Sequence, residues 1–447
     1  MTQKKLWEKE INVDQRIEQF TVGKDRELDM QLASFDVIGS MAHIRMLNKI
    51  GLLNDNELSL LQKNLRKIYQ SIQDSQFSIE EGIEDIHSQV EILLTNELGE
   101  IGKKIHAGRS RNDQVLVDLK LFTRDKLYQL VELIKILFNR LIELSEKFKD
   151  ILLPGYTHMQ VAMPSSFGLW FGAYAESLVD DLIQIEAAYK IVNKNPLGSA
   201  AGFGSSFPLD RKTTTELLGF GELNYNSVYA QMNRGKMEGV VSYAIASVAA
   251  TLAKLSADII LYLSQNFSFI SFPDQLTTGS SIMPHKKNPD VFEIMRAKCN
   301  RILALPNEIS MITNNLTSGY HRDFQMLKES FLPALTHIIE CTGMMHFMLE
   351  HIQINKDILS DAKYNYLFSV EAVNKKVIKG VPFREAYRDI GIQIEQGNFK
   401  PDVQINHTHE GSIGNLCNNQ IKKMFNEVLE LFNFDKYQKA IKRLLEA

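Results

Sequence analysis

One loop-forming stretch, Gly279-Ser280-Ser281-Ile282-Met283-Pro284-His285-Lys286-Lys287-Asn288-Pro289-Asp290, gathers two hydroxyls, two ammonium groups and an amide. Such a set suits the stabilisation of a carboxylate that gains a second negative charge, because fixed cations and amide donors act where charge develops. Gly279 and the preceding Thr277-Thr278 let the chain bend, while Pro284 and Pro289 stiffen it. Pro289 also suits the first turn of a helix. Gly, Ser and Pro crowd ordinary surface turns as well, and lysines are commonly just solvated; that reading explains the composition of the stretch and not its order. A second candidate is His158 in Gly155-Tyr156-Thr157-His158, a group that titrates near neutrality, although a lone histidine is more often a structural hydrogen-bonding residue. Glu293, one helical turn beyond Pro289, reads by itself as a favourable anion near a helix N-terminus.

The elements that must position these residues are helices. Between Gly108 and Pro154 there is no Gly or Pro, and Leu119, Phe122, Leu127, Leu130, Ile134, Leu137, Leu141 and Leu144 recur mostly at spacings of three and four. That periodicity predicts one amphipathic helix from about Asp113 to Leu152. Breaker-poor stretches predict further helices from Gly172 to about Lys194, Gly239 to Phe272, Pro289 to Leu305 and Arg322 to about Ile354. The expected class is all-α, a bundle of long helices. Residues 1–110 form a smaller helical N-terminal domain in this reading, 111–360 the central bundle and 361–447 a helical C-terminal domain. Linkers are expected at Asn195-Pro196-Leu197-Gly198, Gly202 to Pro208 and Phe272 to Pro289. A helix that rises ~1.5 Å per residue separates Asn112 from His158 by roughly 60 Å, so the two cannot share a pocket within one subunit. Either the pocket is assembled from several copies of the chain, or one block merely caps the helix, with Asn112 as N-cap and Pro154-Gly155 as stop.

Composition bounds the rest. The chain of 447 residues is long enough for two or three domains, and 44% hydrophobic with 23% charged residues is ordinary for a globular protein. A formal net charge of -4 without a basic tail gives no footprint for nucleic acid or an anionic membrane. Cys299, Cys341 and Cys417 lack CxxC or Cys/His spacing, which argues against a disulfide framework or a zinc site and fits a reducing cytoplasm. Residues 1–8 carry two lysines and no apolar core, so no secretory leader is expected. The most membrane-like stretch, Val240 to Leu263, contains Lys254 and Asp258 and reads as a buried helix of an oligomer.

The order Gly-Ser-Ser-x-Met-Pro-x-Lys-x-Asn-Pro in the 279–290 loop resembles the shared loop of the fumarase/aspartase superfamily of elimination lyases. Within it, Gly108-Arg109-Ser110-Arg111-Asn112-Asp113-Gln114-Val115, Pro154-Gly155-Tyr156-Thr157-His158-Met159-Gln160, Glu84-Asp85-Ile86-His87 and Gly380-Val381-Pro382-Phe383-Arg384-Glu385-Ala386 resemble argininosuccinate lyases in particular. The similarity runs from about Leu6-Trp7 to Gly391. It implies β-elimination of argininosuccinate to arginine and fumarate, the last step of arginine biosynthesis, in a cytoplasmic homotetramer whose sites draw on three subunits, without metal or organic cofactor. By the same resemblance Ser280 is the general base, with Ser281 as its rival, and Lys286 and Asn288 hold the carboxylate. His158 protonates the leaving nitrogen directly or through water, and Glu293 pairs with it. Thr157, Ser110 and Asn112, with Arg111 in the same block, bind substrate; His87 and Asp85 line that region; and Tyr320, Gln325 and Lys328 of Tyr320-His321-Arg322-Asp323-Phe324-Gln325-Met326-Leu327-Lys328 contact substrate. A helix start with polar i,i+3 spacing is the plain alternative for that last block.

The chain departs from the family pattern in places. Gly23 stands near the usual position of a substrate-binding serine, where its N–H would have to replace a hydroxyl. Only Arg234 of Asn233-Arg234-Gly235 carries over from an acidic run, His285 replaces a common Gln, and Tyr387 a common His. The rival readings are a lyase for another succinylated amine such as adenylosuccinate, against which the Gly108 to Val115 block argues, and a non-catalytic structural homologue of the crystallin kind.

Overall fold

The computed structural model describes residues 14–446, so the Leu6-Trp7 end of the resemblance and the leader reading of residues 1–8 lie outside the described residues. The chain opens with α1 (Gln15–Val22), α2 (Asp25–Asp29), α3 (Ala33–Lys49), α4 (Asp55–Gln73), α5 (Ile86–Leu98) and α6 (Glu100–Lys103). Asn54 starts α4 with a capping box: its side chain accepts from Glu57 N, and Glu57 accepts from Asn54 N. The long α7 (Arg111–Lys147) follows, then a hairpin of β1 (Leu152–Thr157) and β2 (Gln160–Ser166), and α8 (Phe167–Val192). A loop region holds β3 (Lys194–Asn195), α9 (Arg211–Leu217), β4 (Glu222–Leu223) and α10 (Ser227–Met232). The bundle continues with α11 (Lys236–Leu263), β5 (Ile270–Ser271), β6 (Thr278–Gly279), β7 (Lys287–Asn288), α12 (Asp290–Thr313), α13 (Leu327–Glu350) and β8 (Gln353–Ile354). Four shorter helices close the chain: α14 (Ser369–Ile378), α15 (Phe383–Glu395), α16 (Asn418–Leu429) and α17 (Phe434–Glu446).

The apolar stripes read from the sequence form the main core. Leu130, Ile134, Leu137 and Leu141 of α7 pack with Leu178, Leu182 and Ile185 of α8, Val241, Val248 and Leu252 of α11, Ile302 of α12 and Leu335 of α13. Burying side chains of this size contributes ~1.5–3 kcal/mol each. A second core joins α3, α4 and α5 to Leu218, Phe220 and Leu444, so that α17 lies on the N-terminal helices. α11 is, among the described residues, the one helix long and apolar enough to cross a membrane, and 56% of its most apolar window is buried inside the protomer. Its polar residues serve packing: Asp258 accepts from Trp170 Nε1 at 3.0 Å and Tyr174 OH at 2.6 Å.

Contacts at the helix ends fix the directions. α8 and α11 run antiparallel, because Trp170 meets Asp258 while Asp181 meets Ser247 and Thr251. α11 and α12 are antiparallel too: Phe272, beyond the end of α11, stacks obliquely on Phe292 at the start of α12, and Gly235, before α11, lies against Thr313 at the end of α12. α13 runs with α7, since Arg140 near the end of α7 donates to the Leu349 carbonyl. The bundle therefore has two distinct poles. One gathers the starts of α7, α11 and α13; the other gathers the end of α7, the start of α8 and the start of α12.

Several boundaries differ from expectation. α7 ends at Lys147 rather than near Leu152, because residues 152–166 form a β-hairpin, and α8 begins at Phe167 rather than Gly172. α11 stops at Leu263, nine residues before Phe272, and α12 runs on through Pro306 to Thr313. Asn112 is not the cap of α7. Ser110 is: its Oγ accepts from Asn112 N at 3.3 Å, and its own N–H donates to Asp113 at 2.8 Å.

Candidate active site

At the first pole lies a cleft of about 160 Å³ that brings together Asp85, His87, Arg111, Asn112, Tyr320, Gln325 and Lys328. Ser110 sits beside it as the α7 cap, and Asp113 anchors the adjoining turn by accepting from Gly198 N and Ala200 N at 2.9 and 3.0 Å. Burial pushes the Asp113 carboxyl up to about 6, against the pull of these N–H donors. The same turn region is tied to α7 from below by Lys120, whose buried ammonium donates to the Lys194 carbonyl at 2.9 Å and Asn224 Oδ1 at 2.8 Å. Asn112 lines the cleft with, among the described residues, no hydrogen bond to its side-chain amide, so the amide is available to a ligand.

Asp85 caps α5, accepting from Ser88 N at 2.8 Å and Ser88 Oγ at 2.6 Å, and pairs with Arg111 at 3.2 Å. Burial raises its carboxyl, but His87, Arg111 and Ser88 outweigh that and leave it below the usual range. His87 is buried; burial opposes its charging, yet Asp36 at 2.7 Å and Asp118 at 3.6 Å lift its imidazole to about 9. One nitrogen of His87 and one carboxylate oxygen each of Asp36 and Asp118 lie within 4.8 Å of one another. Gln325 donates from Nε2 to the Thr21 and Val22 carbonyls, each at 2.9 Å. Lys328 is 4% exposed and stands 2.7 Å from both Asp25 and Asp29. Burial raises the Asp25 carboxyl to about 6 in spite of that lysine.

The cleft also holds groups the sequence did not single out as ligands. Asp25 and Asp29 come from α2, Arg322 reaches Glu84 at 2.5 Å, and Arg234 lies buried against Glu238 at 2.6 Å. Gly23 does not supply the expected N–H: it ends α1 at φ 52° and donates to Gln19 O at 3.1 Å. Two residues on, Asp25 lines the cleft, where it pairs with Lys328. Asp36 and Asp118 had a visible signal, since each is a carboxylate inside an apolar helical run, Ala33 to Met46 and Leu116 to Phe122.

The other candidates sit at the opposite pole. β6 and β7 pair antiparallel, Thr278 with Asn288 and Gly279 with Lys287, and carry the 280–286 loop. Thr278 Oγ1 bonds Asp290 and Lys287 bonds Asp274, so the hairpin is braced on both strands. Ser280 Oγ accepts from Met283 N at 3.1 Å and Ile282 N at 3.3 Å, whereas Ser281 Oγ receives no such donor among the described residues. The Lys286 ammonium has no ion-pair partner among the described residues, and Asn288 Nδ2 donates to Gly279 O at 3.3 Å. Glu293 is exposed in the first turn of α12, its N–H bonded to Pro289 O.

Thr157 and His158 lie at the tip of the β1–β2 hairpin, with Thr157 paired to Gln160. His158 and Met159 both have positive φ, 52° and 59°, the pattern of a type I′ turn without its usual Asn or Gly. Tyr156 props the hairpin, its ring against Phe267 and its hydroxyl 3.3 Å from that of Tyr364. His158 is exposed and, among the described residues, has no hydrogen bond to Glu293 within the protomer.

The lyase family profile matches residues 8–304. A protein named argininosuccinate lyase from Parabacteroides distasonis is 60% identical over 441 residues, 99% of each chain. Its namesake from Bacteroides fragilis is 58% identical over the same length and shares, and one from Thermotoga neapolitana is 36% identical over 384 residues, 86% of this chain and 96% of that one. Among solved structures, EDDS lyase in complex with formate superposes with a TM-score of 0.75 at 21% identity, covering 98% of this chain and 95% of that one. Class II fumarase from Schistosoma mansoni gives 0.73 at 16%, covering 97% and 96%. At these identities the structural likeness is one of fold.

Proposed function

The chain belongs to the lyase family and, within it, to the argininosuccinate lyases, and from that membership we propose that it cleaves L-argininosuccinate reversibly to L-arginine and fumarate as the last step of arginine biosynthesis. In this reaction a proton leaves the carbon beside a carboxylate and the neighbouring C–N bond breaks. The difficulty is the weak acidity of that C–H, and a carboxylate that becomes doubly negative needs fixed positive charge.

The observation that supports the reading is the pair of backbone N–H groups donating to Ser280 Oγ, in a loop whose Lys286 ammonium has no ion-pair partner among the described residues. A serine hydroxyl is a poor base unless its alkoxide is stabilised, and oriented N–H donors supply that stabilisation. Ser280, rather than Ser281, takes the proton; Lys286 and Asn288 hold the carboxylate. His158 returns a proton to the departing guanidinium nitrogen, with Glu293 orienting the ring. Ser110, Arg111, Asn112, Thr157, Tyr320, Gln325 and Lys328 bind substrate, with His87 and Asp85 lining that part of the pocket.

These groups stand at opposite poles of a protomer, so a complete pocket requires several copies. Apolar side chains left exposed on the long helices, among them Ile183, Tyr243, Leu303 and Phe347, favour their packing into a homotetramer. A soluble cytoplasmic enzyme made of domains 1–110, 111–360 and 361–447 fits this reading. The test is fumarate release, followed by ultraviolet absorbance, when the purified protein meets argininosuccinate and then adenylosuccinate. Release from argininosuccinate alone is expected; release from the nucleotide alone would overturn the substrate, and none from either would leave a structural homologue.

A further inference from the structure

Asp36 and Asp118 are buried carboxylates, 2% and 0% exposed, set in the apolar faces of two different helices. Such charges destabilise a core unless something compensates them. Asp36 Oδ1 meets His87 Nδ1 at 2.7 Å, and Asp118 Oδ2 lies 3.6 Å from the same atom. Both oxygens of Asp118 and the second oxygen of Asp36 otherwise accept no hydrogen bond.

The surrounding charges are already committed. On the side of α2 and α13, Asp29 faces Lys328 at 2.7 Å. Asp85, at the start of the same helix as His87, pairs with Arg111. Arg109, just before α7, is buried and donates to Ser40 Oγ of α3 at 2.9 Å. Two carboxylates therefore face Arg109 and one histidine. With both carboxylates ionised, the group is neutral when that histidine carries a proton on both nitrogens; burial and the Asp36 charge push the Asp118 carboxyl well up, so Asp118 is the group that competes with His87 for this proton. With Nδ1 held by the carboxylates, Nε2 is the ring nitrogen left to the cleft that His87 lines.

We propose that Asp36 and Asp118 are positioning residues: they clamp His87 by Nδ1 from α3 and α7 and keep it an imidazolium, so that Nε2–H is a standing cationic donor for a substrate carboxylate. A neutral histidine would lose this role as pH rises through 6.5, whereas the clamped ring keeps it through the neutral range. The substrate half of the proposal rests on the lyase reading; the protonation half does not.

The test uses the whole protein with ¹³C-labelled histidine. In the substrate-free wild type, the His87 resonance, identified by its loss in His87→Asn, is expected to titrate with a midpoint above pH 8. A midpoint below 7 overturns the clamp, whether or not any variant folds. In Asp118→Asn, and in Asp36→Asn as the second variant, the midpoint falls by about two units, to near 7. The KM for argininosuccinate then rises about tenfold between pH 6 and pH 8, while kcat stays within about twofold, because binding and not proton transfer is lost. A flat KM with an unshifted His87 midpoint in both folded variants overturns the assignment. An inactive protein whose His87 still titrates above pH 8 would sink the lyase reading and leave the clamp standing.

Discussion

Ser280 and Ser281 are adjacent hydroxyls, and the difference between them is two backbone N–H groups. Those donors lower the cost of an alkoxide at Ser280 only. Ser280→Ala is expected to cut kcat by ~10²–10⁴-fold with KM within a few-fold, the range for loss of a general base, while Ser281→Ala loses far less. Steady-state kinetics on both variants decide it, and a larger loss at Ser281 would exchange their roles. This pair was legible in the sequence because the loop is one contiguous string. The partners of Lys328 and His87 were not: Lys328 meets Asp29 across 299 residues and His87 meets Asp36 across 51, and no local pattern encodes such pairings. Lys328 reads in the sequence as a free cation for substrate, and in the fold its charge is shared between Asp25 and Asp29. A ligand carboxylate must compete with both.

The long helices were legible because stripe and breaker spacing are local, and α7 carries its apolar face over 37 residues. The β1–β2 hairpin was hidden. Its register shifts between Pro154 and Tyr156, which breaks the alternation of a strand, and Pro154-Gly155 imitates a helix stop. Its turn is unusual in another way, since His158 and Met159 occupy left-handed backbone at a cost of ~1–2 kcal/mol each. Such strain persists where the surrounding structure fixes the turn, and here the turn carries the exposed His158 at its tip. Met159 is exposed in the protomer, so Met159→Gly removes strain without removing core packing. It is expected to stabilise the protein by about 0.5–1 kcal/mol, whereas Val161→Gly, in the neighbouring strand, destabilises it by a similar amount. Urea denaturation of the two variants gives the comparison; an equal loss in both would mean that residue 159 is not held in a left-handed turn.

At the scale of the molecule, the length of α7 already separates Asn112 from His158, but the sequence alone left open whether one block was only a cap. The fold assigns the cap to Ser110 and leaves the Asn112 amide facing the cleft, about 55 Å along α7 from the pole that carries the Ser280 loop. No hinge within a bundle this continuously packed brings those poles together, so under the proposed function a pocket that uses both Asn112 and Ser280 draws them from different protomers. Mixed variants test this directly. Asn112→Ala and Ser280→Ala proteins, each nearly inactive alone, are unfolded, mixed in equal amounts and reassembled. Every protomer then carries one lesion, so a pocket built from a single protomer would never be intact and activity would stay at the parental level. If each pocket draws the two residues independently, half of the Asn112 positions and half of the Ser280 positions are sound, and about a quarter of wild-type activity returns. Recovery near that fraction supports the shared pocket, and none after verified exchange of subunits would overturn it.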